Sequence, residues 1–227
     1  MDNQPETSTA LKYVVPFVTA AFGAFFGALS AFWLGSVKQK RDESNRRHTA
    51  LLAAQYALFS QWNIVEDIRR NLLEPSRKDP NRHLNLRVFI RAQAPLTVPF
   101  KELTFIIDSD EPNLLQEIHL AEQGYIGAID TLERWNAIRG DFYSKYQPET
   151  IDMATGRASV TVQSKDIFLL KNAADILYDQ VDKALPKFDE QIKKVFKYVK
   201  RNFKGKKAIN AIQPIEAQPV PTPNDKG

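Results

Sequence analysis

The three histidines of this 227-residue chain, His48, His83 and His119, are its best-suited metal ligands by residue type, and their surroundings do not fit a metal site. A carboxylate-bridged metal site in a helical bundle needs Glu-x-x-His on each of two helices, with further carboxylates facing inward. His119 has Glu117 before it and Glu122 after it, the reverse order, and no second copy exists. On a helix with Ile118 and Ala121 inward, position 119 also points about 100° away from the core. A general acid and base could come from Asp108, Asp110 and Glu111, provided that their environments differ enough to keep one of them protonated. Three acids ahead of Pro112 are more simply read as partners of a helix N-terminus. The chain has no cysteine, so thiol nucleophiles, Cys-ligated zinc and disulfides are excluded. No G-x-S-x-G, GxxxxGK[ST] or GxGxxG motif occurs. These residues lead us to expect a non-catalytic protein without a metal or cofactor.

Charge marks a second candidate. Residues 183–207 hold ten basic residues against Asp189 and Glu190, a net charge of +8, whereas residues 38–182 hold 19 basic and 21 acidic residues. Lys193, Lys194, Lys197, Lys200, Arg201 and Lys204 make this a basic helix end, with Val195, Phe196, Val199 and Phe203 for an apolar side. Anionic lipid and nucleic acid both suit such a segment, and so does plain solvation without a partner. We expect nucleic acid to be the weaker candidate of the two polyanions.

The third feature is a solvent mismatch that the mean hydropathy of −0.38 conceals. Tyr13 to Val37 forms 25 consecutive residues without a charge. As a helix it would measure about 37 Å, enough to cross a hydrocarbon core of about 30 Å. Tyr13 and Trp33 lie near its ends, where amphipathic rings prefer the interface. A cleaved signal peptide competes with this reading, because Ala28 to Ala31 resembles a cleavage site. The length of the run, and Asp2 and Glu6 ahead of it, argue against that. Only Lys12 precedes the run, whereas Lys38, Lys40, Arg41, Arg46 and Arg47 follow it. The positive-inside rule then predicts a single-pass protein of the inner or plasma membrane, N-terminus outside and the rest cytoplasmic. Within the span, Gly23, Gly27, Ala31 and Gly35 recur every fourth residue, a spacing that lets two helices approach closely in lipid and suggests a homo-oligomer.

Three segments with helical periodicity must position these features. The first places Leu51, Leu58, Trp62, Val65, Ile68 and Leu72 on one face and continues the membrane helix, ending at Pro75 and Pro80. The second opens at Asp110–Pro112, follows Ile118, Tyr125, Leu132 and Trp135, and closes at Pro148. The third is expected from Ser164, a capping residue, to Val199, with Pro186 kinking or splitting it. Residues 82–99 read as an extended strap, Phe100–Ile107 as a short helix, and 149–163 as a loop or hairpin.

The expected fold is therefore all-α: one transmembrane helix and an antiparallel cytoplasmic bundle of three long helices, with a fourth if Pro186 divides the last. Its parts would be an outer tail (1–12), a span (13–37), the bundle (38–204) and a disordered Pro-rich tail (205–227). If the three helices leave, return and leave again, the basic end lies about 50 Å from the lipid; a reversal at Pro186 would bring it back. The expected function is a membrane-anchored scaffold that docks a protein partner. The alternative is an effector or signalling protein whose transmembrane helix self-associates.

Overall fold

A computed structural model describes residues 7–90, 96–146 and 161–209. It divides into two compact units, Met1–Arg47 and His48–Gly227. Most of the expected 149–163 loop and the tail beyond Ile209 lie outside the described residues. Every regular element among the described residues is helical.

Helix α1, Thr7–Asp67, is unbroken for 61 residues and runs through the charged stretch after Val37. In the first unit its side chains from Phe22 to Gly35 are all exposed. In the second unit it buries Leu51, Leu58, Val65 and the small residues Ala50, Ala54 and Ala57. A π-helical turn, Ile68–Leu73, and a 3-10 turn, Glu74–Ser76, follow it, the latter containing Pro75. Arg82–Asn85 forms one short helix, α2.

The two remaining long helices are α3, Asn113–Lys145, and α4, Ser164–Asn202. Pro112 stands immediately before α3, where a missing N–H leaves no bond unmade. Gln163, not Ser164, occupies the cap position of α4, and no side chain caps it. The expected break at Pro186 does not occur, and no separate helix begins there: α4 passes through it. Proline removes one i→i−4 bond and crowds the preceding turn. Pro186 is on the exposed face, while Ala184 and Phe188 are buried on either side. Packing of that apolar face sustains the helix across the missing bond.

Polar contacts fix the register. Arg201 Nη1 lies 2.7 Å from Glu111 Oε1, Lys194 Nζ 2.9 Å from Glu117 Oε2, and Lys145 Nζ 2.6 Å from Asp166 Oδ2. Residue number falls along α4 as it rises along α3, so these two helices run in opposite directions. The same holds between α4 and the second-unit part of α1: Tyr178 Oη donates to the Leu73 carbonyl at 2.8 Å, and His48 Nε2 donates to the Lys207 carbonyl at 2.8 Å. Consequently α1 and α3 run the same way, which overturns the expected out-back-out path.

The return is made by the strap. Tyr143 Oη donates to Leu84 O (2.8 Å), Arg139 Nε to Leu86 O (2.7 Å) and Asn136 Nδ2 to Phe89 O (3.0 Å). Val98 N then meets Glu122 Oε1 at 2.9 Å, and the 3-10 helix Phe100–Ile106 buries Leu103 and Ile106. Side chains of α3 thus engage the Leu84, Leu86 and Phe89 carbonyls and the Val98 N–H, as buried polar backbone requires. One core joins α1, the strap, α3 and α4, with Trp135 and Phe188 as its largest fully buried side chains.

Candidate functional site

Two places hold the residues singled out by sequence, and each belongs to a different unit. In the first unit, helical geometry gathers Gly23, Gly27, Ala31 and Gly35 along one face and turns Phe22, Phe25, Phe26 and Phe32 to the other. All are exposed, with Phe32 at 78% and Trp33 at 65%. A Cβ added at Gly23, Gly27 or Gly35 would meet nothing within 4 Å. This helix is long and apolar enough to cross a membrane. Lys38, Lys40, Arg41 and Arg46 follow it as exposed side chains, and Arg47 pairs with Glu43 at 2.8 Å.

In the second unit, the basic end of α4 sorts into two sets. Lys194 pairs with Glu117 of α3, and Arg201 with Glu111 just ahead of that helix. Hydrogen bonding from Lys194 to Glu117 and Glu190 raises its pKa above the ordinary lysine value. Lys193, Lys197 and Lys200 share the outward face at i, i+4 and i+7 spacing, and Lys204 follows in the turn after the helix. Lys193 pairs with Asp189 at 2.5 Å and Lys200 lies over the Phe196 ring at 4.6 Å. Among the described residues, neither Lys197 nor Lys204 has a carboxylate partner.

This end of α4 is held against the start of the second unit. The Phe203 and His48 rings lie 5.4 Å apart, and Gln55 Nε2 donates to the Ile209 carbonyl at 2.9 Å. Residues 206–209 thus fold back along α1, with Ala208 and Ile209 packed on the core. They belong to the segment expected from sequence to be a disordered tail, 205–227. The signal was Ala208-Ile209, two apolar residues ahead of the first proline of the tail.

The other candidates disperse. His119 is exposed, its ring edge-on to Phe100 at 5.3 Å, while His83 is buried and His48 bonds the Lys207 carbonyl. No group of three or more metal-binding side chains forms among the described residues. Glu111 engages Arg201, and its backbone N–H donates to Ser109 Oγ. Glu122 is instead buried, accepting hydrogen bonds from Val98 N at 2.9 Å and Gln61 Nε2 at 3.1 Å. It braces the strap, a role that sequence did not suggest.

No family model, curated protein or solved structure matches this chain.

Proposed function

We propose that the chain is a single-pass membrane protein whose helical bundle serves in the cytoplasm as a non-catalytic interaction module. The carrying observation is the contrast between its two units. The second closes a core of its own, whereas the first leaves Phe22, Phe25, Phe26, Leu29, Phe32, Trp33 and Leu34 exposed. Leaving such side chains in water costs about 1.5–3 kcal/mol each relative to burial, a cost that a hydrocarbon surround removes. The basic flank Lys38, Lys40, Arg41, Arg46 and Arg47 supports an inward orientation of the bundle. On α4, Phe168, Leu169 and Ile176 remain exposed on the side away from the core and offer a protein partner apolar area. Expressed in a bacterial host with a reporter after Gly227, the full chain is expected to stay in the membrane pellet after alkaline carbonate, with the reporter active inside. Release by carbonate, or an external reporter, overturns the reading.

A second reading adds self-association of the span, in keeping with an effector or signalling protein. It is favoured by the separation of the small face from the aromatic face and by the open space over Gly23, Gly27 and Gly35. Gly23→Ile combined with Gly27→Ile should convert an oligomer in mild detergent to a monomer. An unchanged size distribution removes the reading.

A further inference from the structure

We propose that Lys193, Lys197, Lys200 and Lys204 dock on the anionic headgroups of the bilayer that holds α1, an inference that rests on the membrane reading above. Tyr178 of α4 meets Leu73, whereas the basic end of α4 meets His48 and Gln55. His48 is the first residue of the second unit, and only ten residues separate it from Val37 at the end of the apolar run. That stretch measures about 17 Å as helix and at most about 40 Å fully extended. The four lysines are therefore tethered within reach of a headgroup surface, and the tether gives even a weak contact a high effective concentration.

Charge sorting supplies the second step. Glu117 of α3 and Glu111 just ahead of that helix take up Lys194 and Arg201 and leave the outward stripe, where Asp189 is, among the described residues, the one acid paired with any of the four lysines. The linking residues Lys38 to Arg47 add five basic residues against Asp42 and Glu43. An anionic surface relieves this accumulation of like charge, and polybasic segments next to a span are attracted to such surfaces.

Aromatic burial argues against single-stranded nucleic acid. Single-stranded nucleic acid needs exposed rings on which bases stack. Phe188, Tyr198 and Phe203 are buried, and Lys200 lies over Phe196. What remains outward is lysine without a stacking platform. Burial of Val199 and Phe203 also means that the stripe meets headgroups electrostatically, without inserting apolar side chains, so its docking depends on salt.

The test uses the full chain carrying Asn202→Cys, its single thiol, labelled with a fluorophore and reconstituted in phosphatidylcholine vesicles with or without phosphatidylserine. The expected result is protection from an aqueous quencher only with phosphatidylserine, lost at high salt. Replacing all four lysines by glutamine should lower the docked-to-undocked ratio by about tenfold or more. Equal protection in both vesicles, or an unchanged ratio in the glutamine variant, overturns the proposal. Stronger protection by added duplex DNA than by phosphatidylserine overturns it in favour of a nucleic-acid site. Flotation after a carbonate wash reports anchoring separately. A chain that floats without probe protection defeats docking alone. A chain that fails to float defeats anchoring, and docking then stands or falls on salt-sensitive flotation with phosphatidylserine vesicles.

Discussion

Glu122 shows how much one buried carboxylate can organise. It is 9% exposed and accepts from the Val98 backbone and the Gln61 side chain, while the same Gln61 amide donates to the Leu96 carbonyl at 2.9 Å. Removing it leaves two buried donors without an acceptor, and an unsatisfied buried polar group costs about 1–3 kcal/mol. Glu122→Ala is therefore expected to destabilise the bundle by about 2–4 kcal/mol, and Glu122→Gln, which keeps a carbonyl acceptor, by about 1 kcal/mol. Denaturant midpoints of the full chain in mild detergent check this. Equal losses for the two variants would show that the acceptor is not what matters. The residue was visible in the sequence only as an acid near His119, because its partners come from a connector without periodicity.

At the scale of elements, what could be read from sequence was what repeats. Ile118, Tyr125, Leu132 and Trp135 on α3, and Leu170, Leu177, Phe188 and Val195 on α4, are all buried as their spacing predicts. A helix carries its inward face in its own period, so local sequence suffices there. The strap has no such period, and its path is set by Asn136, Arg139 and Tyr143 of α3, residues whose side chains bond its carbonyls. Arg139 stands outside the apolar spacing of α3, and nothing in its own sequence neighbourhood points to the Leu86 carbonyl it bonds. The direction of α3, the second long helix, depends on that path, so an out-back-out order was the default expectation and the wrong one. Pro186 fails for a related reason: a local rule predicts a break, and burial of Ala184 and Phe188 on either side overrides it. The basic end of α4 was legible as composition. Its division into lysines facing out and cations held by Glu111 and Glu117 was not, since that depends on where those two acids lie.

Titration acts on the second unit as a whole, because its shifted groups tie different elements together and share one sign on each side of neutrality. Burial, then the nearby Lys171 and Arg82, pushes the His83 pKa below its ordinary 6.5. Arg69 and Arg70 hold Glu66 below 4.5, and Lys145 and Tyr146 hold Asp166 below 3.8. For each of these the folded state binds its proton less readily than the unfolded chain, so stability is present above the ordinary value and lost as pH falls. On the alkaline side, hydrogen bonding to Asp166 raises Lys145, hydrogen bonding to Glu117 raises Lys194, and burial raises Tyr178 above 10.0. Their contribution is present below the ordinary values and lost as pH rises through the raised ones. The thermal midpoint of the full chain, followed by near-ultraviolet circular dichroism, should thus be flat from about pH 7 to about pH 9.5 and fall on both sides. The acid limb should have two steps. His83 causes the first, below about pH 6.5, and the carboxylates cause the second, below about pH 4.5. His83→Gln removes the group that titrates in the first step and should leave the second in place. A first step that survives this substitution would assign it to another group, and a midpoint that is the same at pH 5 and pH 7, to within about 1 °C, would remove the histidine from the pH dependence altogether.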